Sequence, residues 1–92
     1  MAQERMRLMI KGYVQGVFFR AYAETEAKKH SLKGWVRNTA DGSVEIIAEG
    51  ERKDLDRMSE WCHHGPPSAR VTEVKVNFEP PTGEFKTFTV KY

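Results

Sequence analysis

The sequence predicts an α+β fold, in which two helices cover one face of an antiparallel sheet. Three observations support this prediction: several segments alternate between apolar and polar residues, two segments repeat their apolar residues with a helical period, and the order of these segments is βαββαβ followed by one more strand. With 92 residues the chain has room for one compact core, so residues 1–92 are expected to form a single domain. This order is typical of the ferredoxin-like split βαβ sandwich.

The first half of the chain predicts three strands and one helix. Residues 6–10 alternate as a half-buried strand does, and residues 20–31 carry apolar side chains at every fourth position, as on an amphipathic helix. Residues 34–39 and 43–49 are strand-like. The pair Asp41-Gly42 between them predicts a hairpin, because glycine tolerates the positive φ of a tight turn.

The second half predicts a helix and two strands. Residues 51–63 place Leu55, Met58 and Cys62 on one side of a helix, which the Gly-Pro-Pro sequence at 65–67 ends. Residues 72–78 alternate as a strand, and residues 88–92 form the additional C-terminal strand.

Composition excludes several classes of protein. The 15 basic and 13 acidic residues are interspersed and give a net charge of +2, unlike the one-sided basic surface of a nucleic-acid binder. No apolar run is long enough to cross a membrane, and the first residues carry charges where a signal peptide needs an apolar stretch. The single cysteine, Cys62, cannot form an internal disulfide, so a cytoplasmic location is expected.

The segment from Gly12 to Arg20 joins the first strand to the first helix and predicts an anion site. Backbone N–H groups converge at a helix N-terminus, where the helix dipole favours negative charge. Gly16 can adopt φ > 0, and Arg20 supplies a permanently charged fork that suits phosphate oxygens. Considered without other information, Arg20 could instead pair with Glu24, one helical turn later.

Asn38 is the second candidate. Asparagine is disfavoured within strands, and its neutral amide can both donate a hydrogen bond to a water molecule and accept one. The alternative is that Asn38 only shapes the hairpin through local hydrogen bonds to the backbone.

Other polar groups suggest no site. His30, His63, His64 and Cys62 include three sequence neighbours at a helix end that cannot all face one ion, so neither a metal nor a cofactor is expected. Trp35 is interpreted as a packing residue.

Two other functions fit the same fold. An RNA-recognition module needs aromatic rings and positive charge on the open face of the sheet. If Val44, Ile46 and Ala48 face the helices, that face instead carries Ser43, Glu45, Ile47 and Glu49, which offer no ring and repel phosphate. A regulatory small-ligand domain is the other alternative, and the fold alone does not exclude it.

The sequence resembles the acylphosphatase family. Residues 12–20 match its first signature, G-x-V-Q-G-V-x-F-R, and residues 34–50 match its second, G-[FYW]-V-[KR]-N-x-x-x-G-x-V-x-x-x-x-x-G, at every fixed position. The tract at residues 65–71 is similar to that of prokaryotic members. Ser31 departs from the family, which often has glycine after the first helix.

This resemblance implies hydrolysis of carboxyl-phosphate anhydrides by a monomer acting on small molecules, without nucleic acid, membrane, metal or cofactor. It implies that Arg20 and Asn38 are catalytic, with Asn38 orienting the attacking water. It implies that the phosphate is bound by a run of consecutive residues: Gln15, Gly16, Val17, Phe18, Phe19 and Arg20.

Overall fold

The computed structural model describes residues 2–92 and contains the seven predicted elements in the predicted order. The largest difference in bounds is at the first strand, which extends beyond the predicted 6–10 in both directions. The elements are β1 (Gln3–Tyr13), α1 (Phe19–Lys29), β2 (Lys33–Asn38), β3 (Val44–Glu51), α2 (Arg52–His64), β4 (Arg70–Glu79) and β5 (Phe88–Lys91).

The five strands form one sheet in the order β4-β1-β3-β2-β5. Pairs β1–β3, β1–β4 and β2–β3 are antiparallel, as predicted, whereas β5 runs parallel to β2. The sheet is therefore mixed, which corrects the prediction of an antiparallel one. The cause is the connection at residues 80–87, which leads from the β4 edge to the opposite edge, so that β5 runs in the same direction as β2.

The core lies between the sheet and the two helices. Helix α1 contributes Ala23 and Ala27 to it, and α2 contributes Leu55, Met58 and Cys62, all fully buried. The helical periods read from the sequence therefore identify the buried faces correctly. Neither helix in residues 2–92 is long and apolar enough to span a lipid bilayer.

The sheet face opposite the helices is less open than the sequence suggests. Val44, Ile46 and Ala48 lie in the helix-side core, as expected. The residues expected to be exposed on the other face, one just before β3 and three within it, are nevertheless buried: Ser43, Glu45, Ile47 and Glu49. Glu45 is only 4% exposed because two arginines cover it and pair with it. A guanidinium nitrogen of Arg7 lies 2.5 Å from one carboxylate oxygen, and a guanidinium nitrogen of Arg37 lies 2.6 Å from the other. Neighbouring arginines compensate for the cost of burying this charge.

Glu49 is covered by the connection between β4 and β5. Its carboxylate accepts hydrogen bonds from the backbone N–H groups of Thr82 at 2.9 Å and Gly83 at 3.1 Å, and from the Thr82 hydroxyl at 3.3 Å. Arg5 lies 3.7 Å away as a counter-charge. Glu49 thus fixes the path of the chain across the sheet toward β5.

Helix α1 ends with Ser31 in the left-handed conformation, at φ 58°. The N–H of Ser31 donates to Lys28 O at 3.1 Å, and the N–H of Leu32 donates to Ala27 O at 2.9 Å. This pair of bonds is the Schellman termination, whose left-handed position is usually glycine. The helix cap is therefore formed although Ser31 stands where the family often has glycine, and the serine side chain carries a steric cost there.

We predict that Ser31→Gly stabilises the protein by about 1 kcal/mol, because glycine has no Cβ to clash in the left-handed region. For a chain of this size the melting temperature should rise by roughly 4–8 °C. Ser31→Ala keeps the Cβ and serves as the control, which should gain nothing. A glycine variant that melts at or below the wild-type temperature would contradict this interpretation.

Candidate active site

The loop between β1 and α1 is shaped by two residues in the left-handed conformation. Gly16 has φ 74° and Phe18 has φ 64°. Val14, Val17 and Phe19 alternate with them and are buried in the core. The buried residues anchor the loop, and the left-handed residues turn the intervening peptide groups, an arrangement that directs successive N–H groups to one side.

The N-terminus of α1 lies at the end of this loop. Phe18 occupies the N-cap position, and the first turn has neither a capping side chain nor an acidic residue. The first N–H groups of a helix have no partner within the helix and carry partial positive charge. An anion is the natural partner for them.

Arg20 lies in the first turn of α1. Its Nη1 is 3.4 Å from Lys91 O, and its Cζ is 4.7 Å from the centre of the Tyr92 ring. The alternative pairing with Glu24 is not formed, since Glu24 pairs with Lys28 at 3.4 Å and Arg20 forms no ion pair within residues 2–92. The guanidinium therefore keeps its charge available for a ligand.

Asn38 shares a cleft of about 270 Å³ with Arg20. Asn38 is the last residue of β2 and is half-buried, and its side-chain amide forms no hydrogen bond to any residue in 2–92. The cleft is lined by Val14, Gly16, Phe18, Phe19, Arg20, Ala21, Asn38 and Tyr92. A basic group, a helix N-terminus and a free amide thus surround one space of small-molecule size.

The turn after Asn38 is closed by other side chains. The Thr39 hydroxyl contacts the Asp41 carboxylate and accepts a hydrogen bond from Ser43 N at 3.2 Å, while Asp41 Oδ1 accepts another from Ser43 N at 3.1 Å. Two hydrogen bonds lower the pKa of Asp41: the one from the Thr39 hydroxyl has the larger effect, and the one from the Ser43 backbone N–H the next largest. Asn38 is therefore not needed to shape the hairpin, and the alternative interpretation of this residue loses its basis.

Two of the residues assigned to phosphate binding do not line the cleft. Val17 faces the core. Gln15 directs its side chain to the β2–β3 turn, where Nε2 donates to Thr39 O and to Ser43 O, both at 2.8 Å. Only the backbone of these two residues remains available for an anion.

The C-terminal residues Lys91 and Tyr92 were missed as site residues. They reach Arg20 through the parallel pairing of β5 with β2, in which Arg37 lies opposite Lys91. No local pattern in the last residues signals this placement. It follows from the direction of β5, which the sequence did not reveal.

Within residues 2–92, no three His, Cys, Asp or Glu side chains gather into a possible metal site. Burial raises the pKa of the Cys62 thiol, which makes it a poor nucleophile. Trp35 is half-buried, with Lys91 Nζ 4.6 Å from its ring centre.

Comparisons of the sequence with known proteins identify its family. The sequence pattern of the family described as Acylphosphatase matches residues 6–90. The chain is 49% identical to an acylphosphatase of Aeropyrum pernix over 89 residues, which cover 96% of this chain and 88% of the relative, and 49% identical to one of Marinobacter nauticus, with 96% of each covered. Among solved structures, the acylphosphatase of Bacillus subtilis superposes with a TM-score of 0.93 at 37% identity, with 97% of this chain and 99% of that chain covered.

Proposed function

The chain belongs to the acylphosphatase family and hydrolyses acyl phosphates, and we propose that Arg20 binds the phosphoryl group while Asn38 orients the attacking water. The observation that carries this assignment is that both residues line one cleft at the N-terminus of α1. The RNA-binding and regulatory alternatives are not favoured, since all the relatives described above are acylphosphatases.

The phosphoryl oxygens are proposed to bind the backbone N–H groups of the 15–20 loop together with Arg20. Phosphoryl transfer passes through a loose transition state with charge on the three equatorial oxygens. Fixed amides and a guanidinium stabilise this charge without rearranging, because the loop is held by its buried residues. The Tyr92 ring and Lys91 O contact the guanidinium and help to hold it in place.

The attacking water is proposed to bind the Asn38 amide. The carbonyl oxygen accepts a hydrogen bond from the water, which turns a lone pair of the water toward phosphorus. The water oxygen forms the new P–O bond as the bond between phosphorus and the acyl oxygen breaks. One water proton stays on the phosphate, the other passes to solvent, and the bond electrons leave with the carboxylate.

The leaving group limits the range of substrates. A carboxylic acid has a pKa of about 4, so the carboxylate departs without being protonated by a general acid. An alkoxide leaving group needs such an acid, and neither Arg20 nor Asn38 can serve as one. Small acyl phosphates are therefore the proposed substrates, and phosphomonoesters should react poorly.

We propose that the enzyme acts as a monomer in the cytoplasm. The lone Cys62 is buried and free, as is usual in reducing compartments. Light scattering should give the monomer mass of 10.6 kDa, and a stable dimer would refute the monomer proposal.

The purified protein should hydrolyse acetyl phosphate in the presence of EDTA, because an arginine, amides and a positioned water suffice for this leaving group. The rate of phosphate release measures the activity. Phenyl phosphate under the same conditions should be hydrolysed at least about a hundredfold more slowly. Failure to release phosphate from acetyl phosphate would overturn the mechanism.

Arg20→Lys should lower kcat/KM for acetyl phosphate by about a hundredfold or more, because an ammonium cannot reproduce the bidentate fork. Arg57→Lys, which changes an exposed arginine of α2, is the matched control and should retain wild-type kinetics. Near-normal turnover by the Arg20 variant would remove this residue from the proposed role.

Asn38→Ala should lower kcat by about a hundredfold, because the attacking water loses its alignment. Inorganic phosphate should still inhibit at a similar concentration, because the N–H groups of the 15–20 loop and Arg20 are unchanged. Asn77→Ala, at an exposed position of β4, controls for the loss of an amide elsewhere. Weaker phosphate binding with kcat preserved would contradict the assignment.

A further inference from the structure

The side chain of Gln15 connects the two halves of the candidate site. It precedes Gly16, the first left-handed residue of the loop, and it reaches the turn that immediately follows Asn38. Its amide nitrogen lies 2.8 Å from both Thr39 O and Ser43 O. One amide group therefore spans the gap between the loop that binds phosphate and the strand end that carries Asn38.

These contacts leave Gln15 no hydrogen for a ligand. A glutamine amide has two N–H hydrogens, and the two carbonyl oxygens use both of them. The remaining polar atom, Oε1, is an acceptor and cannot hydrogen-bond an anionic phosphate oxygen. The side chain is thus unsuited to bind substrate, although its backbone N–H still belongs to the loop.

The turn that Gln15 holds is stiff in itself. The N–H of Thr39 donates to Ser43 O at 2.9 Å, the Thr39 hydroxyl and the Asp41 carboxylate cap Ser43 N, and Ser43 is buried. The Gln15 amide is bonded to Thr39 and Ser43, at the two ends of this turn, so the turn and the amide move together. The Gln15 amide therefore links the position of this turn directly to that of Gly16, in addition to the pairing of the strands.

We propose that Gln15 is a positioning residue that sets the distance between the bound phosphoryl group and the water on Asn38. This inference rests on the proposed function, and it assigns the side chain a role distinct from phosphate binding. Reacting atoms must approach to about 3–3.5 Å in line, and a misplacement of about 1 Å can cost a hundredfold in rate. The Gln15 amide limits such displacement of Asn38 because it joins the turn after β2 to the loop at residues 15–20.

The test uses Gln15→Met, which keeps the length of the side chain and removes both donors. We expect kcat for acetyl phosphate to fall by about ten- to hundredfold, while the inhibition constant for inorganic phosphate changes by less than about threefold. Gln3→Met, at an exposed position, is the matched control. A kcat within twofold of wild type, or phosphate binding lost in parallel with kcat, would overturn the proposal.

A double-mutant cycle separates positioning from general destabilisation. If Gln15 acts through Asn38, then Gln15→Met should change kcat by less than about twofold in the Asn38→Ala background and retain its full effect in the Arg20→Lys background. An equal effect of Gln15→Met in the wild-type, Asn38→Ala and Arg20→Lys backgrounds would show that Gln15 does not act through Asn38.

Circular dichroism verifies that each variant is folded. Should Gln15→Met fail to fold, Gln15→Asn, whose shorter amide cannot span the gap, is measured in the same way with the same expected loss. A wild-type protein without turnover would refute the proposed function itself, whereas active wild-type protein with unaffected variants refutes only the role of Gln15.

Discussion

The backbone turn at Gly16 and Phe18 is the constraint on which the candidate site depends. A left-handed conformation costs a non-glycine residue about 1–2 kcal/mol. Phe18 adopts it and also exposes 76% of its surface, so burial of its own ring does not offset this cost. Burial of the flanking Val17 and Phe19 offsets the cost, at about 1.5–3 kcal/mol for each side chain. The direction of the loop amides and the position of Arg20 both follow from this arrangement.

The register of the sheet brings the other groups of the candidate site to the same end of the strands. Ile10 lies opposite Val44, Val44 lies opposite Asn38, and Arg37 lies opposite Lys91. The end of β1, the end of β2 and the C-terminus therefore meet at one end of the molecule. At the opposite end, Glu49 holds the connection that carries the chain to β5. The site is thus assembled by pairing across the whole sheet.

Periodicity predicted the fold well because the helical and strand patterns are regular over most of each element. It placed Ala23, Ala27, Leu55, Met58 and Cys62 in the core correctly. It could not give the direction of β5, which depends on the path of residues 80–87 rather than on any local pattern. It also treated Glu45 as exposed, since the arginines that cover this carboxylate come from other strands.

The sequence predicted part of the lining of the candidate site, and it predicted none of the long-range contacts. Gly16, Arg20 and Asn38 lie in two signatures, and the structure places them around one cleft. The contact of Gln15 with the turn and that of Tyr92 with Arg20 join parts of the chain that lie far apart in sequence. Such contacts become visible only when the strands are paired.

The central claim is that an anion binds the N–H groups of the loop between β1 and α1. Titration of ¹⁵N-labelled protein with inorganic phosphate, followed by two-dimensional NMR, tests it residue by residue. We expect saturable shifts that are largest for the backbone amides of residues 15–20 and the side-chain amide of Asn38. Shifts centred on another surface, or none that saturate, would contradict it.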